Sequence, residues 1–369
     1  MDDDVHGALS MKICLIGNAQ AVHLQRWAGA YADRGHDVHV VSIRACDMPN
    51  ITVHTRNLGQ VNTTSPVWTA LSYLWLTLGV RRLVGSIDPD VVHAQFVTTS
   101  GVMARVSGND HIVLTAWGSD VIPPHGSRHN FILRALNRWA LNGARRVTSA
   151  STFMSDQIAS RYGVSAVRLV PFGVDTDRFF PVRERSPGPL RLGVVKSLNK
   201  KYGIDDAISA LAAVRETEND ATLVIAGDGP LRPSLEQHAA GLGLADAVSF
   251  LGRVPHGDVP GVLRDIDIFL NTSVVPESFG VAILEAEASG LPVVATDVGG
   301  VAETCSPGES AFLVEPNDPE ALAAAVLNLT DESMRSSFGQ AGRALVENRF
   351  TWERSVSDML NILEEVRKP

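Results

Sequence analysis

Several things are scarce in this chain, and each shortage excludes a class of protein. There are three cysteines, Cys14, Cys46 and Cys305, odd in number and without CxxC spacing. That argues against a disulfide framework or a cysteine zinc site, and reduced thiols fit a cytoplasmic protein. Basic charge is also short, with 32 Lys and Arg against 41 Asp and Glu for a net charge of −9. General nucleic-acid binding needs the opposite field, so nucleic acid is not an expected partner. The most apolar stretch, 67-VWTALSYLWLTLGV-80, is too short to span a bilayer and ends at Arg81-Arg82. It reads as a buried helix or, over 67–84, as a peripheral contact at the inner face of a membrane, and both readings stay open. No secretory signal and no short-period repeat is visible, and residues 1–10, acidic and aperiodic, are expected to be a loose extension.

What is present is a soluble composition, 45% hydrophobic and 20% charged over 369 residues, a length that suggests two cores. The run 11-MKICLIG-17 reads as a buried parallel strand feeding a loop. A helical pattern over 24–35 and a strand at 37-DVHVVSI-43 complete a βαβ opening. The rhythm continues through strands at 90–96, 112–117 and 146–150 and helices at 129–144 and 153–163. Residues 181–190, PVRERSPGPL, lack periodicity and read as a linker. A second series starts at 191-RLGVVKSL-198 and runs on to a closing helix. The expected fold is therefore α/β: a domain over 11–180, a second over 191–350, and a C-terminal helix over 351–369 packing back toward the first. Parallel sheets bind ligands beyond the carboxyl ends of their strands, which would here line an interdomain cleft.

One stretch concentrates the chemistry. In 276-PESFGVAILEAEASGLPVVA-295, two glutamates, Glu277 and Glu285, flank the start of a helix. With Ser278 as N-cap, the N–H groups of Phe279, Gly280 and Val281 would open toward a ligand at the positive end of the helix dipole. Glu285 would lie roughly 9–10 Å further along the axis at 1.5 Å per residue, a span fitting a diphosphate and a ribose. A carboxylate accepts two hydroxyl protons, so each glutamate suits a vicinal diol. The plainer alternative, a dipole contact for Glu277 and a surface position for Glu285, is equally compatible with the stretch alone. Glu287, roughly 200° around the helix from Glu285, reads as solvated.

In its wider context this block resembles the E-x7-E region of the retaining glycosyltransferases of family 4 (glycosyltransferase group 1). The likeness runs from Met11 nearly to the end and includes 33-DRGHDVHVVS-42, 88-DPDVVHA-94, 171-PFGVDTDRFFP-181, 224-VIAGDGPLR-232 and 250-FLGRVP-255. The resemblance implies a GT-B fold of two Rossmann-like domains, with the acceptor in the first and a nucleotide-sugar donor held mainly by the second. It implies that Glu277 contacts the donor sugar and Glu285 the ribose. Backbone at Phe279, Gly280 and Val281 would meet sugar and diphosphate, backbone at Arg253 and Val254 the base, and Gly17 would let the donor approach.

Three departures stand out. Where relatives grip the diphosphate with Arg and Lys, this chain has Ser197 and Tyr202, and Lys196 and Lys201, one residue earlier each, are the natural substitutes. Trp117 stands where many relatives have His, and Asp120 either bonds the acceptor or caps a helix. Phe172 replaces an Asn, a change expected to affect packing.

The implied reaction moves a hexose-type sugar from a nucleotide-diphosphate sugar to a hydroxyl of a sugar or lipid-linked acceptor, in polysaccharide or glycoconjugate assembly. No metal or other cofactor is expected, because helix dipole and lysine stabilise the leaving diphosphate and no DxD-like carboxylate pair stands out as a metal site. Another GT-B enzyme, a nucleotide-sugar epimerase or phosphorylase-like protein, and a donor-binding protein without turnover are the alternatives. Base, sugar, acceptor and oligomeric state are not readable from the sequence.

Overall fold

The computed structural model describes residues 10–55, 78–122, 131–181 and 188–369. The chain divides into two compact units. The first comprises residues 1–150, 154–170 and 356–369, and the second 151–153 and 171–355.

Among the described residues the first unit carries seven strands: β1 (Lys12–Ile16), β2 (Asp37–Ser42), β3 (Thr52–Thr55), β4 (Val91–Gln95), β5 (Ile112–Thr115), β6 (Arg146–Ser149) and β7 (Val167–Leu169). They form one parallel sheet in the order β3-β2-β1-β4-β5-β6-β7. Its helices are α1 (Val22–Ala32), α2 (residues 78–87), α3 (Val102–Val106), α4 (Phe131–Asn142) and α5 (Thr152–Tyr162). Both faces of a parallel sheet are covered by helices, so central strands are buried: β1 from Ile13 to Ile16, and β4 throughout although it carries His93 and Gln95. A polar chain crosses this core. Tyr31 Oη lies 3.0 Å from His93 Nδ1, His93 Nε2 lies 2.8 Å from Thr115 Oγ1, and that hydroxyl lies 2.7 Å from Thr148 Oγ1. Burial pushes the His93 imidazole down to about 3, so it is held neutral.

The second unit carries β8 (Arg191–Val195), β9 (Thr222–Ala226), β10 (Val248–Gly252), β11 (Ile268–Asn271), β12 (Val293–Thr296) and β13 (Ala311–Val314). These form a parallel sheet ordered β10-β9-β8-β11-β12-β13. The order reverses between β8 and β11, the topological switch at which parallel sheets open a ligand crevice. Its helices are α6 (Ile204–Val214), α7 (Arg232–Gly241), α8 (Val259–Arg264), α9 (Val281–Ala288), α10 (Pro319–Asn328) and α11 (Glu332–Arg349). The core gathers Leu192, Val194, Ile208, Leu211, Leu223, Ile225, Ile268 and Leu270 with Leu322 and Val326.

Residues 171–180, read from sequence as the end of the first domain, group with the second unit. Hydrogen bonds explain this. Val174 bridges to Thr351, and the Arg343 guanidinium donates to the carbonyls of Thr176, Phe179 and Ala288. The closing helix α12 (Trp352–Val366) begins in the second unit, while residues 356–369 belong to the first. There Val366 O lies 2.7 Å from His111 Nδ1, and Glu365 meets Arg146 and Arg168. Of the expected linker, residues 182–187 lie outside the described residues, as do Trp68, Trp75 and the rest of 67–77. In α2, Val80 and Val84 are buried, whereas Arg81 and Arg82 are exposed. Among the described residues no helix is long and apolar enough to cross a membrane.

Candidate active site

Strand ends of the second sheet assemble the site. Lys196 follows β8, Asn271 ends β11, and Ser273 and Glu277 lie in the loop between β11 and α9. The Lys196 ammonium sits 2.9 Å and 2.7 Å from the two Glu277 oxygens. Asn271 Nδ2 donates to Oε1 at 3.1 Å, and the Ser273 hydroxyl makes a short bond to the same oxygen. Burial alone would raise the Glu277 carboxyl, but the Lys196 charge and the bonds from Lys196, Ser273 and Asn271 outweigh it and hold it below the usual range. The result is an ionised carboxylate fixed by three side chains.

Glycines let the loops come this close. A Cβ on Gly227, in the GDGP turn after β9, would fall 1.7 Å from the Lys196 carbonyl. Gly299 has φ +65, and a Cβ there would fall 2.3 Å from the Glu277 carbonyl, which accepts the Gly300 N–H at 2.8 Å. These contacts set where α9 starts. Gly280, not Ser278, is its N-cap, and Val281 is its first residue. Phe279 turns inward, its ring meeting Phe172 and Phe350 edge-on at 6.0 Å each. The Phe172 departure therefore builds an aromatic cluster beneath the loop.

The lysines straddle an aromatic ring. Lys196 Nζ lies 4.9 Å and Lys201 Nζ 4.7 Å from the Tyr202 ring centroid, within cation–π range. Tyr202, at the position where the resemblance expects a lysine, thus gathers two cations, one adjacent in sequence and one six residues earlier. Lys201 is exposed.

Glu285 is buried in α9 and pairs with His256, Nε2 to Oε1 at 2.8 Å. Arg178 donates to the His256 carbonyl at 2.6 Å, and the imidazole rests 6.0 Å from the Phe179 ring. In the loop after β10, Arg253 is exposed and Val254 half-buried. Glu287, expected in solvent, is fully buried. Its Oε1 accepts the Ser310 hydroxyl at 2.6 Å, its Oε2 has no partner, and burial pushes its carboxyl up to about 8. Every α9 residue from Ile283 to Ala288 is buried, so no face of the helix was left for a solvated side chain.

Gly17, Trp117 and Asp120 belong to the first unit. A Cβ on Gly17 would fall 2.3 Å from Leu24 Cδ1, so the glycine is demanded by α1 packing. Trp117 lies 4.6 Å from the His23 ring, centroid to centroid. Asp120 is turned to the backbone, and one of the N–H groups it accepts, that of Val97, opens the helical turn Val97–Gly101. Its buried carboxylate accepts the N–H groups of Val97, Trp117 and Gly118 at 2.7, 3.0 and 2.8 Å. Burial raises this carboxyl against the pull of those donors.

Sequence reasoning missed Asn271, Ser273, His256 and His23 as neighbours of the site residues. The Asn-Thr-Ser run closing β11 was a signal for the first two; no spacing links His256 to Glu285. Among the described residues, no group of three or more His, Cys, Asp and Glu is placed to hold a metal ion.

The family model described as "Glycosyl transferases group 1" matches residues 175–345, and that described as "Glycosyl transferase 4-like" matches 12–151. A GDP-mannose-dependent alpha-(1-6)-phosphatidylinositol monomannoside mannosyltransferase of Mycolicibacterium smegmatis is 31% identical over 309 residues, covering 78% of this chain and 80% of its own length. The chain belongs to the group 1 glycosyl transferases. This glycosyl transferase is also similar to the N-acetyl-alpha-D-glucosaminyl L-malate synthase of Bacillus anthracis, 26% identical over 91% of both chains. Among solved structures, sucrose-phosphate synthase from Thermosynechococcus elongatus superposes with a TM-score of 0.83 at 20% identity, over 96% of this chain and 98% of the other. A glycosyltransferase from Rickettsia africae does so at 0.81 and 20%, over 97% and 99%. Two Rossmann-like domains of the GT-B type are thus the fold, and glycosyl transfer from a nucleotide sugar is the activity.

Proposed function

We propose that this glycosyl transferase is a retaining, metal-independent hexosyltransferase whose donor lies at the strand edge of the second unit. The observation that carries the reading is the Glu277 carboxylate, ionised and fixed by Lys196, Asn271 and Ser273 directly ahead of α9. Glu277 receives the hydroxyls of the donor sugar. An ammonium has three donors, and two of those on Lys196 go to Glu277, leaving one for a phosphate oxygen. As the glycosidic bond breaks, negative charge grows on the diphosphate. Lys196, the α9 N-terminus at Phe279, Gly280 and Val281, and the more exposed Lys201 stabilise it, the role a metal would otherwise fill. Glu285 takes the ribose hydroxyls, with His256 steadying its carboxylate, and backbone at Arg253 and Val254 meets the base. Trp117 has no acid–base chemistry, so it acts through shape, and Gly17 and Asp120 act by setting the loops of the first unit.

Retention comes from the resemblance, and how Glu277 is held supports a front-face over a double-displacement route. A nucleophilic carboxylate needs a free oxygen aimed at the anomeric carbon, with an acid across the bond. Glu277 has both oxygens engaged, so the reading is front-face attack, with the leaving phosphate taking the acceptor proton. The Mycolicibacterium relative is GDP-mannose-dependent and acts on a phosphatidylinositol mannoside, which makes a GDP-hexose the first donor to try and a lipid-linked acceptor the first class to offer.

A thermal-shift and hydrolysis screen against UDP-, GDP-, ADP- and dTDP-sugars, with EDTA present, tests this. Stabilisation by one base, with slow diphosphate release and product of unchanged anomeric configuration, is expected. No shift with any donor would sink the site, inverted product would sink retention, and activity lost in EDTA would sink metal independence.

A further inference from the structure

The first unit presents a surface that glycosyl transfer does not account for. Helix α4 turns its apolar side outward. Phe131 is 82% exposed, Ile132 63%, Leu136 40% and Trp139 43%. At 3.6 residues per turn, these four and Ala135 fall within an arc of about 140°. The opposite side holds the helix in place. Asn137, Ala140 and Leu141 are buried, and Asn137 donates to the Asp120 carbonyl at 2.8 Å. The exposed stripe is therefore fixed by the fold.

In sequence, the charge flanking the stripe has one sign, although Arg146 pairs with Glu365. From 121 to 155 the chain carries Arg128, Arg134, Arg138, Arg145 and Arg146 and no Asp or Glu, in a protein whose net charge is −9. Arg134 and Arg138 flank the apolar arc. Among the described residues, the Arg134 guanidinium bonds the carbonyl of Arg161 and Arg138 meets no carboxylate. Arg105 lies over the Trp139 ring at 5.6 Å, so a cation and a part-exposed indole stand together at the edge of the stripe.

We infer that α4 is a docking helix for an anionic lipid surface, its apolar stripe entering the headgroup boundary while the arginines meet lipid phosphates. A second copy of the chain fits less well. A two-fold contact would bring the Arg134 and Arg138 of both copies together with no acid on the face to pair them. A helix of 12 residues, about 18 Å long, also offers much less than the roughly 800 Å² per partner of a stable interface. This surface would hold the enzyme where a lipid-linked acceptor is found, but the inference stands on the helix and does not depend on the donor assignment.

The test is sedimentation of the full chain with vesicles of phosphatidylcholine alone and of phosphatidylcholine with a quarter phosphatidylglycerol. Binding to the anionic vesicles, weakened by 0.5 M salt, is expected. The pair Phe131→Ser and Ile132→Ser should lower it about tenfold. The pair Arg134→Gln and Arg138→Gln should lower it about fivefold for each arginine, with preference for anionic lipid lost. All these residues are exposed, and unchanged melting temperatures would verify the folds. No binding by the parent chain overturns the inference. So does binding that neither pair weakens, which would place the contact elsewhere, or a concentration-dependent dimer in ultracentrifugation that the serine pair dissolves, which would make the occupant a second copy.

Discussion

Two carboxylates, the partly buried Glu277 in the second unit and the buried Asp120 in the first, each sit in a loop leaving the end of a central parallel strand, and they are held in opposite ways. Glu277 is surrounded by side chains, one of them a cation, and stays ionised at lower pH than usual. Asp120 is surrounded by backbone N–H groups and is pushed the other way by burial. Side-chain partners can turn toward a ligand and be shared with it; backbone partners cannot leave without moving the loop. Under the proposed reading, the same residue chemistry serves binding in one unit and loop geometry in the other.

The contrast is sharpest if the cation is removed. Lys196→Met should cost about 3–5 kcal/mol in stability by leaving Glu277 buried and unpaired, and lower turnover at least tenfold. Because the folded Glu277 titrates below its unfolded value, its contribution is present above that value and lost as pH falls through the lower folded one. Acid titration of Tm should show this step in the parent and not in Lys196→Met. Equal acid profiles would mean that Lys196 does not hold Glu277 ionised.

Asp120→Asn is the matching change in the first unit. The amide NH₂ cannot accept, so at least one N–H is left unpaired at about 1–3 kcal/mol, read by urea unfolding. Donor stabilisation should be unchanged, whereas Glu277→Gln should abolish most of it. Donor binding lost in Asp120→Asn would erase the distinction between the two carboxylates.

A third buried carboxyl is read through the slope of stability with pH, the finest of these measurements. Glu287 carries its proton in the folded state up to about pH 8 against an ordinary value of 4.5. Its contribution is complete below the ordinary value and is lost as pH rises from there through about 8, at most about 1.4 kcal/mol per pH unit. Glu287→Gln, which keeps an acceptor for Ser310, should flatten the dependence of Tm on pH between 5 and 8. A parallel decline in both proteins would rule the group out.

The fold was legible because buried parallel strands are apolar runs. Those at 11–17, 37–43 and 191–198 correspond to β1, β2 and β8. The short polar edge strand β3 and the π-helical turn at Val97–Gly101 gave no such signal. Within the site, Glu277 and Lys196 were legible from motif and charge. What escaped was tertiary. The wheel position of Glu287 suggested solvent, but α11 covers that side, where a Cβ on Gly342 would fall 2.9 Å from Glu287 Cγ. Ser278 looked like an N-cap, but the Gly299-Gly300 turn fixes the loop so that Gly280 takes that place.

The ring of Tyr202 between Lys196 and Lys201 also bears on how this sequence can change. Exchanging that tyrosine for lysine would replace a π-face that attracts two ammonium groups with a third positive charge beside them. The substitution is expected to harm the protein on its own and to be better tolerated once Lys201 has gone, a sign epistasis that a double-mutant cycle would read as a large coupling. Lys196, Lys201 and Tyr202 thus form a single heritable unit, and a lineage that acquired them could return to the common arrangement only by an ordered series of steps.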